Sequence, residues 1–425
     1  MSRQPPRYQR KRNSAIIEAP ITRLGAQGDG VAAWQGRPLF VPFALPGEWV
    51  RVEITRKTRD GAFGQLLEIL EPAPQRIEPS CRHFGICGGC AIQHLTEDAA
   101  AAWKRQRVIE ALHKRGLSDV AVEKTVCIAP GSRRRATFAY RSRKRGAVIG
   151  FNQRASDRLV DLAECPVIDE SLFSLIGPLR ELLAAITPPG TSGDIQVSKM
   201  DDGLDVIVDL PELPGLSVIE ALTGFGRENG LMRLSWRCRG RTEPVATYGR
   251  AVLTVGEAEI SPPPGAFLQP SAEGEEVISE RVLAAIGDSE YVADLFCGIG
   301  TFSLRMVPDR RGYAADGDAE LIGALAATGK VETEVRDLFR RPLVAAELSR
   351  FDAVIFDPPR AGARAQAGEL ATAGAETVVA VSCNPATFAR DARLLVDGGY
   401  GMESVTPIDQ FPWSGHVELV AVFRR

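Results

Sequence analysis

The last part of the chain, from about residue 265 onward, alternates short apolar runs with helical patterns. Each run has strand length and ends in a polar or glycine-bearing turn, as in "YVADLFCGIGTFSL", "RGYAADGDAELIGAL", "FDAVIFDPPRAG" and "ETVVAVSCNP". This repeated strand and helix predicts a doubly wound, mostly parallel α/β sheet. Because ligands in such sheets bind at the carboxyl ends of the strands, the residues that follow each run are candidates for a functional site.

The sequence before this region divides into three further segments. Residues 1–14 are basic and contain no acid, which predicts a disordered arm. Residues 15–73 carry short apolar runs between glycine turns, a spacing that suits a small five-stranded barrel. The proline-bearing "EPAPQRIEPSC" opens a central α+β domain over residues 74–264, and "SPPPGAF" precedes the α/β domain, residues 265–425.

Composition favours a cytoplasmic protein without a membrane partner. No apolar run reaches the roughly 18 residues of a membrane span, and the N-terminus lacks the apolar stretch of a secretory signal. The eight cysteines are too few and too unevenly spaced for a disulfide scaffold in a chain of 425 residues. Reduced thiols, metal ligands and a catalytic thiol remain as their roles.

Four of these cysteines have the arrangement of a metal site. Cys81, Cys87 and Cys90 follow the spacing C-x5-C-x2-C, and Cys165, which precedes a proline, is the candidate fourth ligand. Four thiolates suit a 4Fe–4S cluster and tetrahedral zinc equally well, so the spacing alone leaves both open, with free thiols as a third reading.

The stretch from Ser132 to Gly146, "SRRRATFAYRSRKRG", combines basic residues with aromatic ones and lies in a region without acids. Its arginines could neutralise phosphates while Phe138 and Tyr140 stack on unpaired bases, which predicts RNA contact. The alternative is a solvated charged face.

Carboxylates and a thiol stand at successive strand ends of the α/β domain. Asp294 precedes the glycine turn, Asp316 ends the second strand where a ribose could bind, and Asp337 ends the third near a possible adenine site. Helix caps and solvated strand ends are the alternative. In "FDPPRAG" two prolines make a rigid turn that holds Asp357 at the mouth of the site, and the next strand ends at Cys383, which is either a nucleophile or a packed thiol.

The motifs "DLFCGIGTFSL", "FDPPRAG", "VSCNPATFARD" and "HVELVAVF" together resemble the RNA uracil-5-methyltransferase family. The upstream "CRHFGICGGC" is similar to the iron–sulfur branch of that family. The segment that begins "ITRLGAQGDGV" resembles the TRAM domain, which implies an OB-like barrel that binds RNA at residues 15–73, with any other small barrel as the alternative. These motifs span nearly the whole chain in the order of the family.

The resemblance implies a Rossmann-like class I methyltransferase that uses S-adenosylmethionine and no flavin. It makes Cys383 the nucleophile and Glu418 the base, with His416 as the chemical alternative to Glu418. Carbon 5 of uracil is a weak nucleophile, and a thiolate added to carbon 6 activates it, after which a base must remove the hydrogen from carbon 5. The residues that the resemblance assigns to the cofactor site are Gln269, Phe296, Thr301, Asp316, Asp337 and Asp357.

The resemblance also favours a 4Fe–4S cluster over zinc at the four cysteines. It implies a monomer that methylates a uridine of 23S rRNA, with tRNA as the alternative substrate. A non-catalytic RNA-binding factor of ribosome assembly is the alternative from another class of function.

Overall fold

The computed structural model describes residues 15–425, so the predicted basic arm at 1–14 lies outside the described residues. Contacts between residues divide these into two units, one of residues 15–79 and 91–99, the other of residues 80–90 and 100–425. The central and α/β sheets therefore belong to one unit, while the boundary expected at residue 265 stays a prediction.

The first unit contains one six-stranded sheet in the order β1-β5-β6-β4-β3-β2. Its strands are β1 (Ile16–Pro20), β2 (Arg23–Leu24), β3 (Gly30–Trp34), β4 (Arg37–Val41), β5 (Trp49–Thr58) and β6 (Gly61–Glu71). Alternate residues such as Val50, Val52 and Ile54 point into its core, as the period of a strand requires. The sequence predicted five strands because β2, with two residues, is too short to form an apolar run.

The second unit contains most of a long helix and a mixed seven-stranded sheet in the order β10-β9-β8-β11-β12-β13-β14. Helices α3 and α4 contact this sheet and bury Leu179, Leu183 and Leu222 against it. The elements are α1 (Glu97–His113), β7 (Val126–Cys127), β8 (Arg135–Ser142), β9 (Ala147–Asn152), β10 (Leu159–Asp161), α2 (Glu170–Ser174), α3 (Ile176–Ile186), β11 (Ser192–Met200), β12 (Gly203–Asp209), α4 (Leu216–Glu228), β13 (Arg233–Cys238), β14 (Arg241–Thr247), and the hairpin β15 (Leu253–Val255) and β16 (Ala258–Ile260).

An eight-stranded sheet in the order β19-β18-β17-β20-β21-β23-β22-β7 completes the second unit. Its elements are α5 (Ala272–Ile286), β17 (Tyr291–Leu295), α6 (Ser303–Met306), β18 (Arg311–Asp316), α7 (Ala319–Ala326), β19 (Glu332–Val335), α8 (Ala345–Leu348), β20 (Ala353–Phe356), α9 (Arg364–Thr372), β21 (Thr377–Ser382), α10 (Pro385–Asp397), β22 (Gly401–Asp409) and β23 (Glu418–Arg424).

The strands β19, β18, β17, β20 and β21 of this sheet are parallel, and β23 is antiparallel to both of its neighbours. A hairpin joins β22 to β23 without a crossover helix, which is why these two strands run in opposite directions. Successive residues of β20 and β21 pack on opposite faces, Ile355 and Val381 with α5, and Phe356 and Ala380 with α10. The prediction of a doubly wound α/β sheet is thereby confirmed.

Within residues 15–425, no helix combines the length and apolar character needed to cross a bilayer.

Candidate active site

A cavity of about 560 Å³ opens at the carboxyl ends of β17 to β21. This volume lies in the range of small-molecule sites. All eight catalytic and cofactor residues predicted from the sequence line the cavity, and they are Gln269, Phe296, Thr301, Asp316, Asp337, Asp357, Cys383 and Glu418. The structure therefore brings together residues that are up to 149 positions apart, from 269 to 418.

The glycine turn after β17 forms one wall of the cavity. Phe296, Gly298 and Gly300 all have positive φ, at 62°, 56° and 85°, so the backbone turns sharply between strand and helix. A Cβ on Gly300 would lie 2.6 Å from Cδ1 of Leu325, which leaves room for glycine alone. Asp316 at the end of β18 accepts a hydrogen bond from the backbone N–H of Gly298 at 3.1 Å, and this bond holds the turn against the next strand.

Asp337 and Phe339 form the part of the wall beyond β19. Oδ1 of Asp337 accepts hydrogen bonds from the backbone N–H groups of Phe339 and Arg340, at 3.0 and 3.3 Å, and caps a turn. The ring of Phe339 lies 5.3 Å from that of Phe296, so the two rings make an apolar patch that suits a planar group. Sequence reasoning missed Phe339, although its place two residues after a strand-end acid was a signal.

Asp294 has a structural role. It is not one of the residues that line the cavity in the described part of the chain. Its Oδ2 accepts hydrogen bonds from the backbone N–H and the hydroxyl of Ser303 at 3.0 and 2.5 Å, which fixes the start of α6. Complete burial raises its pKa to about 7. Asp294 therefore holds the backbone behind the glycine turn.

Cys383 and Glu418 meet because β21 and β23 are antiparallel. Ser382, the last residue of β21, is opposite Leu419, the second residue of β23, so the residue after one strand lies beside the first residue of the other. Glu418 is buried and Cys383 half-buried. His416 is exposed and is not among the residues of the described chain that line the cavity.

Burial raises the pKa values of three groups in the cavity, Cys383, Asp357 and Glu418. Burial raises the pKa of Cys383 to about 11, with further increases from the charges of Glu418 and Asp357. Burial, with the charge of Asp294, raises the pKa of Asp357 to about 7. The pKa of Glu418 is also raised, by burial and by Asp357. Cys383 stands directly before the N-terminus of α10, but burial and the charges of the two carboxylates together favour its thiol form.

Arg134 supports the cavity from behind instead of contacting a ligand. It is buried, forms an ion pair with Glu275, and donates from Nε to the backbone carbonyl of Gln269 at 3.1 Å. Its backbone N–H donates to the carbonyl of Pro270 at 2.7 Å. Arg134 thus fixes the segment that carries Gln269, whereas its neighbours Arg133 and Arg135 line the cavity.

The expected stacking role of Phe138 and Tyr140 is contradicted by the structure. Both side chains are fully buried, at 0% and 1% exposure, in the core of the central sheet. Because side chains of a strand alternate between its faces, the even positions of β8 point inward and the odd ones outward. The exposed basic residues of the stretch are Arg141, Arg143, Lys144 and Arg145.

The four cysteines lie in two loops that the structure joins. The backbone N–H of Arg82 donates to the Glu164 carboxylate at 2.6 Å, and that of Ala163 donates to Nε2 of His83 at 3.0 Å. The negative charge that Cys81 would carry as a thiolate raises the pKa of Cys87, and that of Cys165 raises the pKa of Cys81, with burial the larger cause for both. Within residues 15–425 no three Cys, His, Asp or Glu side chains already form a set that could hold a metal ion.

The parallel sheet, the glycine turn and the cavity at the strand ends define a Rossmann-like class I methyltransferase. Two family models match the sequence, the TRAM domain over residues 10–67 and "tRNA (Uracil-5-)-methyltransferase" over residues 326–425. An uncharacterized RNA methyltransferase of Rhizobium meliloti is 41% identical over 421 residues, which cover 95% of this chain and 98% of the relative. The 23S rRNA (uracil(1939)-C(5))-methyltransferase of Alkalilimnicola ehrlichii is 33% identical over 96% of each chain.

The chain belongs to the RNA uracil-5-methyltransferase family, a family of S-adenosylmethionine-dependent enzymes. The tRNA (uracil-54, C5)-methyltransferase of Pyrococcus abyssi, solved in complex with S-adenosyl-L-homocysteine, shares its fold. The TM-score is 0.76, with 23% identity over 96% of this chain and 99% of the other. The predictions of family and fold class are both confirmed.

Proposed function

We propose that this protein methylates carbon 5 of a specific uridine in 23S rRNA, through a covalent adduct between Cys383 and carbon 6. The observation that carries the proposal is the single cavity in which Cys383, Asp357 and Glu418 meet the glycine turn. The relative from Alkalilimnicola ehrlichii, which matches along nearly the whole chain, favours 23S rRNA. The family model named for tRNA keeps tRNA as the alternative. Either substrate would place the enzyme in the cytoplasm.

In the proposed reaction, the sulfur of Cys383 adds to carbon 6 of the uracil and makes carbon 5 part of an enolate. Carbon 5 then attacks the methyl group of S-adenosylmethionine, and S-adenosylhomocysteine leaves. Glu418 removes the proton from carbon 5, the double bond reforms, and the sulfur is expelled. The target base must leave its stack to reach Cys383.

The thiol needs a proton acceptor before it can add, since its pKa is about 11. Asp357, whose pKa is about 7, lies close enough for its charge to raise the pKa of the thiol, and is the acceptor that we propose. The sulfonium of S-adenosylmethionine is a cation, and a cation in this cavity lowers the pKa of the acids around it. Cofactor binding would thus prepare the nucleophile.

The cofactor would lie along the wall formed by Phe296, Thr301, Asp316 and Asp337. The carboxylate of Asp316 suits the ribose hydroxyls and the two phenyl rings suit the adenine. Gln269, Thr301 and Asp357 are placed to contact the remainder of the cofactor or the base.

Cys81, Cys87, Cys90 and Cys165 would hold a 4Fe–4S cluster. Support comes from the two loops that the backbone bonds at Arg82 and Ala163 tie together, since four thiols on two joined loops need little movement to meet one cluster. Methyl transfer requires no electron donor. The cluster would therefore stabilise the loops beside the basic hairpin at residues 141–145, which we propose as an RNA contact together with Arg133 and Arg135.

The substrate test uses S-adenosylmethionine with a labelled methyl group and two RNA fractions, 23S rRNA and tRNA, from a strain that lacks the gene. We expect label in 5-methyluridine of the 23S rRNA and none in the tRNA. Label confined to tRNA would move the protein to the alternative substrate. If neither RNA is labelled and 5-fluorouridine RNA forms no covalent complex with the enzyme, the proposed chemistry fails.

A further inference from the structure

Gln410 connects two of the residues assigned to the site. It follows β22 directly, is 2% exposed, and belongs to no motif that the sequence singled out. Its Nε2 donates hydrogen bonds to Oε1 of Gln269 at 2.9 Å and to Oε2 of Glu418 at 3.2 Å. Three buried side chains from separate parts of the chain therefore form one polar row at the cavity.

The chemistry of Glu418 fixes the direction of this row. Glu418 is ionised when it acts as the proposed base, and an ionised carboxylate can only accept hydrogen bonds, so in that state the Gln410 amide presents its NH2 group to Glu418, as in the structure. The second hydrogen of that NH2 group then goes to the carbonyl oxygen of Gln269. The NH2 group of Gln269, which lines the cavity, is left as the part that can face a ligand.

The carbonyl oxygen of Gln410 is buried and has no partner among the described residues. It lies over Gly274 in the first turn of α5, where a Cβ would be 2.8 Å from this oxygen and 3.0 Å from Cβ of Gln410. A buried polar atom left unpaired lowers stability, so such atoms in native structures call for an explanation in function. Here the NH2 group of Gln410 donates to Gln269 and Glu418, while the carbonyl oxygen of the same amide stays unpaired.

We propose that Gln410 is a positioning residue that directs the NH2 group of Gln269 toward the target base, aligns Glu418 and favours its ionised form. The second half of this inference rests on the proposed role of Glu418. Uracil carries a carbonyl oxygen on carbon 4, next to the carbon that is methylated, whereas cytosine carries an amino group there. A fixed N–H donor pairs with the first and leaves the second unsatisfied, and it also stabilises the enolate charge on that oxygen.

Several charged groups surround Glu418, and the effect of Gln410 adds to theirs. Asp357 and Arg360 come from the turn after β20, Cys383 from the end of β21, and the Arg134–Glu275 ion pair lies behind Gln269. Burial and Asp357 raise the pKa of Glu418, and the hydrogen bond from Gln410 lowers it. Without Gln410 the base would therefore ionise only at higher pH.

The test replaces Gln410 with Met, which keeps the length of the side chain and removes the amide. Two quantities are measured with the full chain: release of methylated rRNA from its covalent complex as a function of pH, and trapping by 5-fluorouridine RNA relative to 5-fluorocytidine RNA. We expect release to slow about tenfold or more, its acidic limb to move to higher pH, and the trapping ratio to fall about tenfold. A pH limb and a trapping ratio equal to those of the parent enzyme would overturn the proposal.

Gln366→Met is the matched control. Gln366 is also a fully buried glutamine, and both ends of its amide bond to the backbone of Leu343, at 2.9 and 3.0 Å, away from the cavity. Its loss should lower stability without moving the pH limb or the trapping ratio. If Gln410→Met does not fold, Gln410→Asn gives the second test, because the shorter side chain keeps the amide but draws it away from Gln269 and Glu418; unchanged readouts in that variant would equally overturn the proposal.

Failure of this inference can be told apart from failure of the proposed base. If Glu418→Gln releases RNA at the parental rate, Glu418 is not the base, and the pH limb has another origin. The trapping ratio depends on Gln269 and not on Glu418, so an altered ratio in Gln410→Met would still support the positioning of Gln269, and an unaltered one would refute it.

Discussion

At the scale of single residues, the proposed reaction depends on two side chains that act at opposite ends of it, Cys383 and Glu418. Cys383 forms the bond to the base and Glu418 allows it to break, so their removal should stop the reaction at different points. Cys383→Ala should abolish methyl transfer and any covalent RNA complex. Glu418→Gln should transfer the methyl group and then retain the RNA as a denaturation-resistant adduct that carries the label.

Gel electrophoresis under denaturing conditions, with label in the methyl group, distinguishes the two variants. A covalent complex that persists in Cys383→Ala would contradict the assignment of the nucleophile. Normal turnover in Glu418→Gln would assign proton removal to His416 or to water.

Arg134 is predicted to matter for stability and for the cofactor site, whereas Arg141, seven residues later in the same basic stretch, is predicted to matter for neither. Arg134→Met leaves Glu275 buried with Arg305 as its remaining partner, at 3.2 Å, and removes a donor from the Gln269 carbonyl. We expect a loss of about 3 kcal/mol in the free energy of unfolding. Arg141→Met, at an exposed position of β8, should change it by less than about 0.5 kcal/mol. Denaturant unfolding of both variants checks this, and equal losses would contradict the structural role.

The residues of the site were predictable where they follow a strand. The βα pattern alone places Asp316, Asp337, Asp357 and Cys383 at one edge, because parallel strands end together. Phe339 and Gln410 were missed, since their roles depend on which side chain of another segment they meet. The raised pKa of Cys383 was likewise hidden, because burial and neighbouring carboxylates are properties of the folded chain.

At the scale of elements, the strand β8 shows how one period separates two functions. Its inward residues build the core, and its outward residues, together with the turn that follows, present Arg141, Arg143, Lys144 and Arg145. The sequence predicted the basic stretch correctly but placed its aromatic residues on the surface. Charge and aromatic content do not show that alternate side chains of a strand point to opposite faces.

The turn residues Arg143, Lys144 and Arg145 are predicted to bind phosphate. Replacing all three with Ala should weaken RNA binding and reduce the slope of log affinity against log salt by about 2 to 3, since each phosphate contact releases counterions. Affinity for S-adenosylmethionine should stay unchanged. Binding titrations at several salt concentrations measure the slope, and an unaltered slope would return this turn to the role of a solvated face.

At the scale of the whole molecule, the repeat of strand and helix was sufficient to predict the class of fold, and the motifs to predict the family. The division into units was not evident, because a proline-bearing linker gives no sign of whether the segments beyond it pack together. The direction of β23 was also not evident, since an apolar run has the same pattern in either direction.

The loops that carry the four cysteines are predicted to need bound iron for their stability. Protein purified without oxygen should contain about four iron and four sulfide per chain and absorb broadly in the visible range. Cys87→Ser should lose the iron and unfold at lower denaturant concentration, because ligand binding and folding are coupled. Stoichiometric zinc without sulfide would assign the site to the other metal, and an unchanged unfolding midpoint in Cys87→Ser would exclude a structural role.

The pairing of β21 with β23 limits where the chain can accept inserted residues. A codon inserted in the exposed turn at residues 143–146 lengthens a loop and leaves every strand in register. The same codon inserted inside β23 slips the strand by one residue and exchanges its two faces, because side chains alternate with a period of two. Related sequences should therefore differ in length at the basic turn, whereas the segment from Glu418 to Arg424 should contain no insertions or deletions.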